Sequence, residues 1–186
     1  MIVREILADV AKIAEGEALC QSIDKSEDET DDQVKSKVDA LLSCYNTVIR
    51  DVALNYHEHL KTVEVLEESV CISSLHDYIM KVVSITDSFG NDLKYKQTGD
   101  CIKAKRCPFY LTYRTVPNGQ RLDETFIYEK TEIGENMIIY GVLSEYCLKQ
   151  NRIEEALNWE SKYRQAVDFR RDYKSRKMKA GKTWGL

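Results

Sequence analysis

The amino-acid sequence predicts an α+β protein, in which a helical bundle of about four helices carries an inserted antiparallel β-module. Apolar residues recur every three or four positions toward both ends of the chain, as in amphipathic helices. The middle of the chain instead carries short β-branched runs with a period of two. The chain has 186 residues, 43% hydrophobic and 31% charged, which suits a globular protein of one domain or of one domain with a small elaboration.

The first helix is predicted in the opening segment IVREILADVAKIAEG. Its apolar residues at helical spacing are Ile2, Ile6, Val10 and Ile13. Gly16 favours a stop after them. The polar and acidic stretch SIDKSEDETDD is then predicted to be a connector, in which Thr30 or Asp31 caps the next helix.

A long second helix is predicted from Val34 to about His59. No Pro or Gly interrupts this run, and its length corresponds to roughly 40 Å at the standard helical rise. The apolar positions are Val34, Val38, Leu41, Leu42, Tyr45, Val48, Ile49, Val52 and Tyr56. A helix of this length needs other helices to cover its apolar face.

The β-module is predicted from six runs that alternate or are rich in β-branched residues. These runs are TVEVLE, SVCIS, IMKVVSITD, LKYKQ, CIKAK and FYLTYRTV. Gly90 and Asn91 lie between two of them and predict a hairpin whose turn needs positive φ, with Phe89 at its exposed tip. The segment VPNGQ supplies a second turn signal.

Two helices are predicted to close the chain as an antiparallel αα-hairpin. The segment MIIYGVLSEYC is apolar nearly all round, as in a helix buried within a bundle, and KQNR links it to the last helix. That helix starts at Ile153 and is predicted to lose its buried face near Phe169. Its predicted stripe is Ala156, Trp159, Tyr163 and Ala166, widened by Ile153, Leu157 and Val167.

The predicted organisation follows from these elements. Residues 1–61 and 131–178 form the helical bundle, residues 62–130 form the inserted β-module, and residues 179–186 form an extended C-terminal tail. Trp159 and Tyr163 are interpreted as bundle core. Trp184 has no predicted core to enter, so it is either disordered or buried in a partner, and we favour the partner.

The six cysteines are interpreted as reduced and mostly buried thiols, because they are scattered and form no CxxC pair. A zinc site built from Cys101, Cys107, His57 and His59 fits no structural-zinc spacing. No cofactor and no metal are therefore expected. The longest apolar run, MIIYGVL, is far shorter than the roughly 20 residues of a membrane span, and the N-terminal segment lacks the features of a secretion signal.

No enzyme motif is found in the sequence. The three histidines, at positions 57, 59 and 76, have no nucleophile context, and adjacent acids such as Glu154 and Glu155 are typical of a solvated face. The string AGKT resembles the end of a phosphate loop, but Arg176 stands where that motif needs its first glycine. The protein is therefore expected not to be an enzyme.

Charge is distributed unevenly along the chain. The net charge is −4, yet residues 1–68 hold 16 acidic and 7 basic side chains, whereas residues 162–186 hold nine basic and two acidic ones. A basic segment with an aromatic residue is typical of nucleic-acid binding, and this is the alternative function. An acidic pI of about 5.5 and the absence of a reading motif weigh against it. The basic end otherwise predicts an acidic protein partner.

Four segments of the sequence look familiar: VREILADVAKI, LLSCYNTVIRDVALNYHEHLKTVEV, KVVSITDSFGNDLKYK and GVLSEYCLKQNRIEEALNWESKYRQAV. They resemble the head-to-tail adaptor (connector) proteins of tailed bacteriophages, similar to tail tubular protein A and the head-completion adaptors. The most specific part is EYCL followed by the pattern of Ala156, Trp159, Tyr163 and Ala166. Where family members close with an Arg-Arg-Trp-like end, this chain has AGKTW, so only Trp184 carries over.

The resemblance implies a non-enzymatic virion protein of the phage neck, made in the host cytoplasm. It implies a ring of twelve copies bound to the portal protein, and contacts with the next tail (nozzle or tube) protein. It also implies a channel through which genomic DNA passes non-specifically, and no membrane. The tail-side or subunit contact is expected at Phe89, Gly90 and Asn91. The portal or neighbour contact is expected at Arg170, Arg171, Lys174, Arg176, Lys177, Lys179, Lys182 and Trp184.

Overall fold

The computed structural model describes residues 1–23, 31–129, 131 and 133–180, with the backbone alone for 171–180. It confirms the α+β fold class. The helices are α1 (Val3–Ala14), α2 (Glu17–Ile23), α3 (Asp32–Asn55), α4 (Glu135–Lys149) and α5 (Ile153–Ala180). The strands are β1 (Leu60–Val65), β2 (Ser69–Cys71), β3 (Ile79–Thr86), β4 (Tyr95–Thr98), β5 (Cys101–Ala104) and β6 (Phe109–Thr115).

The chain divides into two compact units. The helical unit comprises Met1–Ile49 and the described residues from Gly119 onward, and the β unit comprises Arg50–Asn118. The β unit thus starts within α3, whereas the sequence places the start of the module at residue 62. The physical reason is that Arg114 of β6 donates hydrogen bonds to the carbonyl oxygens of Ala53 and Leu54, both at 2.8 Å, and so satisfies the end of the helix.

The helical unit begins with two helices, α1 and α2, of which the sequence analysis predicted only α1. α1 buries Val3, Ile6, Leu7, Val10 and Ala11 and ends before Gly16, which adopts a φ of +91°. The chain then forms α2, for which no helix was predicted and whose last two residues begin the expected connector SIDKSEDETDD. α2 buries Leu19 and Ile23, which provide the apolar contacts that a polar connector would lack.

α4 and α5 pack against each other as an antiparallel pair. Ser144 of α4 donates a hydrogen bond to the carbonyl oxygen of Ala156 at 3.1 Å, and Tyr140 stacks on Trp159 with ring centroids 5.8 Å apart. Gly141 allows α4 to approach both α3 and α5 closely, because a Cβ atom there would lie 2.8 Å from Cγ1 of Val48 in α3 and 3.2 Å from Cε2 of Tyr163 in α5. The apolar surface of α4 is buried nearly all round, as its sequence predicts.

The stripe predicted on α5 is buried only in part. Ala156 and Val167 are buried, whereas Trp159, Tyr163 and Ala166 are half-buried. Ile153 and Leu157 are exposed, so the expectation that they widen the buried stripe is wrong. The amino group of Lys162 lies 3.9 Å from the centroid of the Trp159 ring and forms a cation–π contact with this half-buried side chain.

A cluster of charges around Glu15 joins the start of the helical unit to its end. Lys37 contacts one carboxylate oxygen of Glu15 at 2.6 Å, and Arg152 lies 3.5 Å from the other. Tyr146 donates a hydrogen bond to the same carboxylate at 3.3 Å. The hydrogen bond from Lys37 is the main reason that the pKa of Glu15 lies below its usual value.

The segment VPNGQ was predicted as a simple turn, and its last two residues, Gly119 and Gln120, belong to the helical unit. Gln120 is buried and accepts a hydrogen bond from the hydroxyl of Tyr45 at 2.8 Å. Its backbone N–H donates to the side chain of Asn46 at 2.7 Å, and its own amide donates to the carbonyl oxygen of Thr125 at 2.7 Å. These bonds satisfy a buried polar side chain and anchor the chain as it re-enters the helical unit.

The β unit contains two three-stranded antiparallel sheets, with strand orders β1-β6-β3 and β2-β5-β4. Their shared core is formed by Val65, Ile85, Ile102, Ala104, Phe109, Leu111 and Tyr113. β6 is the central strand of the first sheet and alternates between buried and half-buried positions along its length. β3 is an edge strand with register shifts at Ile79/Lys81 and Val82/Ser84, which place Met80 and Val83 outside the regular pairing.

Two cysteines of the β unit form a disulfide bond. The register of β2 with β5 places Cys71 directly opposite Cys101, and these residues are bonded. The expectation of reduced thiols is therefore wrong for this pair, because it came from spacing along the chain, which does not reveal strand register. Cys44 and Cys147 are buried free thiols whose pKa is raised by burial, whereas Cys107 is exposed.

Candidate interaction surfaces

The turn after β3 is an ordered structure with an exposed aromatic side chain. We call Asp87–Asn91 the tip. Asp87 accepts hydrogen bonds from the backbone N–H groups of Phe89 and Asn91, both at 2.9 Å, and from the side-chain amide of Asn91 at 3.1 Å. Gly90 has a φ of +83°, and its N–H donates to the carbonyl oxygen of Asp87 at 3.0 Å.

Phe89 is the most exposed of the large apolar residues that the structure describes, at 89%. The hydrogen bonds of Asp87 fix the backbone on which it stands, so the ring is presented to solvent by an ordered turn. Exposing a phenyl group in this way contributes nothing to the fold and is typical of a contact residue. The residues predicted as a tail-side or subunit contact, Phe89, Gly90 and Asn91, are thus brought together in one turn.

The tip does not join two paired strands. The sequence predicts a hairpin here, but β3 belongs to the first sheet and β4 pairs with β5 in the second. One isolated bridge between Thr86 and Asp92 and one hydrogen bond from Leu93 N–H to the Ile85 carbonyl at 2.8 Å close the turn. The turn with positive φ is confirmed at Gly90, but the prediction that it joins two paired strands is wrong. The chain changes sheets directly after the turn, which a local turn signal does not reveal.

Hydrogen bonding also perturbs the acid of the tip. The side-chain and backbone hydrogen bonds of Asn91 are the main reasons that the pKa of Asp87 lies below its usual value. The carboxylate is therefore ionised, and accepts these bonds, down to a lower pH than an ordinary aspartate.

The predicted cationic set is distributed along the end of α5. Arg170 is half-buried, next to Phe169, which is 76% exposed. Five of its members lie in the part of α5 for which only the backbone is described: Arg171, Lys174, Arg176, Lys177 and Lys179. Lys182 and Trp184 lie outside the described residues, as do all but the first two residues of the expected extended tail. Those first two, Lys179 and Ala180, belong to α5.

The sequence analysis missed further exposed apolar residues of the β unit. Leu66 is 73% exposed and Tyr78 is 72% exposed. Met80 and Val83 are also exposed, because the two register shifts of β3 turn them out of the regular alternation. A period-two pattern cannot locate such irregularities, although Leu66 lies near the end of the predicted run TVEVLE and precedes the acidic pair Glu67 and Glu68.

Among residues 1–23, 31–129, 131 and 133–180, no group of three or more His, Cys, Asp or Glu side chains is placed to hold a metal ion. Cys101, considered above for such a site, is committed to its disulfide bond. Within the same described ranges, no helix is both long enough and apolar enough to cross a membrane.

Comparison with known protein families finds no family model that matches this chain, and comparison with curated proteins finds no matching relative.

Proposed function

We propose that this protein is a structural, non-enzymatic subunit of a bacteriophage neck, which forms a ring between the capsid portal and the tail and lets DNA pass through its channel. In this proposal the β unit contacts the next tail protein or an adjacent subunit through the tip. The end of α5 and the residues after it contact the portal or a neighbouring subunit. The resemblance noted in the sequence suggests twelve copies and a place in the virion neck.

The observation that carries the proposal is the tip. Asp87 holds the turn in one conformation while Phe89 is 89% exposed, an arrangement suited to insertion of an aromatic ring into a partner's pocket. A preordered turn loses little conformational entropy on binding, which favours association.

The length and charge of α5 also support the proposal. The helix has 28 residues, roughly 42 Å at the standard rise, whereas α4 has 15 residues. α5 therefore has more length than its antiparallel partner can cover. Its last turns carry most of the cationic residues of the chain's end, which suits rim contacts and steering toward an acidic surface.

The test of the proposal is attachment to the portal protein of the same phage. Deleting residues 179–186 removes Lys179, Lys182 and Trp184, and we expect the melting temperature to stay within about 2 °C because no described core residue is removed. Portal attachment, followed by co-sedimentation and by the mass of the complex, should fall at least tenfold. A matched variant, Phe89→Ala, should attach to the portal normally and lose the contact on the tail side. Normal attachment of the truncated protein would contradict the assignment of the C-terminal end.

The alternative function is nucleic-acid binding by the basic C-terminal segment. It predicts that the same deletion abolishes binding to DNA in the absence of any portal protein, with a steep salt dependence. The mass of the protein alone and with portal protein separates the two functions, because a connector forms an annular complex on its template.

A further inference from the structure

Four lysines cluster around strands β4 and β5. Lys96 of β4 is directly opposite Lys103 of β5 in the strand register, so their side chains project from the same face of the sheet. Lys94 directly precedes β4 and Lys105 directly follows β5, and both line the same cavity as Lys96 and Lys103. We call Lys94, Lys96, Lys103 and Lys105 the lysine face.

The lysine face surrounds a concave site. A cavity of about 300 Å³ is lined by these four lysines together with Glu68, Tyr95 and Ala104. The opposite side of β5 is occupied by the core, because Ile102 is fully buried there. The lysines are thus on the outer side of the second sheet, and β4 is an edge strand whose residues are all exposed.

The positive charge of this site is poorly compensated within the chain. Glu68 is the acidic residue of the lining, and it lies 3.1 Å from Lys103. Among the residues that the structure describes, Lys94, Lys96 and Lys105 form no ion pair. Like charges directly opposite each other in a sheet repel, so the fold itself gains nothing from the Lys96–Lys103 pair.

We propose that the lysine face binds the phosphate backbone of double-stranded DNA. Adjacent strands lie about 4.8 Å apart and alternate residues of one strand about 6.7 Å apart, so the backbone positions of the four lysines lie within a small area. A ligand that neutralises them together needs a dense array of negative charge. Duplex DNA carries one charge per about 1.7 Å of axis, a higher linear density than one acid on every residue of an extended peptide, spaced about 3.4 Å.

The site suits transient contact. Lysine contacts to phosphate carry no sequence information. They weaken as the salt concentration rises, because the release of counterions from DNA then contributes less favourable free energy. Such contacts would let DNA move past the surface. The identification of the natural ligand as the genomic DNA rests on the proposed function, whereas the affinity of the lysine face for duplex DNA does not.

The experiment measures binding of the full-length protein to a fluorescein-labelled 20-base-pair duplex, about two helical turns, by anisotropy between about 50 and 200 mM salt. With four phosphates neutralised, the slope of log K against log salt is expected to be about −3.6, a roughly 150-fold loss of affinity over that range. The double variant K96A/K103A should reduce the slope to about −1.8. The control K35A/K81A removes two exposed lysines elsewhere and should leave the slope unchanged.

The melting temperature of K96A/K103A distinguishes a binding role from a structural one. Relief of the like-charge pair predicts that it is unchanged or higher than that of the unaltered protein. A fall of more than about 4 °C together with lost binding would assign the lysines to folding and overturn the proposal. Equal slopes for the variant and the unaltered protein would overturn it as well.

Two further arms identify the ligand and its source. If poly-glutamate competes as well as duplex DNA at equal charge, the ligand is an acidic protein and the proposal is overturned. The proposal is also overturned if deleting residues 179–186 abolishes DNA binding while K96A/K103A retains it. Portal attachment is measured in parallel. If portal attachment fails while the lysine face binds DNA, the proposed neck function is contradicted and the DNA-binding site is supported. If attachment succeeds and the lysine face does not bind DNA, only the DNA-binding site is contradicted.

Discussion

The helical unit and the β unit of this chain differ in how they place their large apolar side chains. Nine of the fourteen exposed large apolar residues in the described part of the chain belong to Arg50–Asn118, although that unit is the smaller one. They include Leu66, Tyr78 and Phe89, each more than 70% exposed. The helical unit instead concentrates apolar residues inside, around an α4 helix that is buried nearly all round.

This difference indicates that folding and contact are assigned to different surfaces. The β unit has enough core in one face of each sheet to be ordered, and its outer faces carry the tip and the lysine face. Apolar groups that stay in water do not stabilise the fold, so their presence on an ordered turn is better explained by binding. The comparison can be tested by substituting residues of the same type in the two kinds of position.

The largest effect is expected within the β unit itself. Phe109 is fully buried in the core and Phe89 is 89% exposed, so Phe109→Ala should lower the free energy of unfolding by about 3–5 kcal/mol. Phe89→Ala should change it by less than about 0.5 kcal/mol. Denaturant unfolding of both variants measures the difference. A similar loss for the two would show that the tip contributes to folding and would remove the contrast between core and contact surface.

A second effect is expected where helices approach closely in the helical unit. In Gly141→Val the new Cβ would meet Cγ1 of Val48 at 2.8 Å and Cε2 of Tyr163 at 3.2 Å, so we expect a loss of about 2–3 kcal/mol from overpacking. Gly134 has no atom within 4 Å of an added Cβ, and the control Gly134→Val should lose less than about 1 kcal/mol. Equal losses in thermal unfolding would mean that the helices can move apart without penalty.

Local sequence patterns predicted the type and position of most elements. The six strand runs and the helices α1, α3, α4 and α5 follow from periodicity, which reports the environment of each segment. α2 was missed because an acidic, polar stretch begins within it, and two buried residues, Leu19 and Ile23, give too short a pattern.

Features that depend on long-range pairing could not be predicted in this way. The separation of β3 and β4 into different sheets and the bond between Cys71 and Cys101 both depend on strand register. The same holds for the lysine face, since Lys96 and Lys103 become neighbours only through pairing of β4 with β5. At the tip, the positive φ of Gly90 was predicted from the turn signal, but the role of Asp87 as the acceptor was not.

The smallest effect on global stability is expected at the tip, where it sharpens the comparison most. Asp87→Ala removes the acceptor of the Phe89 and Asn91 amide protons but no buried group, so the melting temperature should be nearly unchanged. Amide hydrogen exchange at Phe89 and Asn91 should nevertheless become faster. The proposed tail-side contact should become weaker, because the ring loses its fixed support. Asp92→Ala alters a neighbouring exposed acid that the structure gives no side-chain bond, and should leave both unchanged.

The pH dependence of the same turn follows from the lowered pKa of Asp87. A depressed pKa in the folded state means that the carboxylate stabilises the turn at pH values above its unfolded pKa, near 3.8, and that this contribution is lost as the pH falls through the lower folded value. Protection of the Asn91 amide should therefore persist at pH 5 and decline only in strong acid, whereas in Asp87→Ala it should be low throughout. If protection in the unaltered protein declined already between about pH 7 and 5, a group other than Asp87 would hold the tip, and the ordered presentation of Phe89 would need a different physical basis.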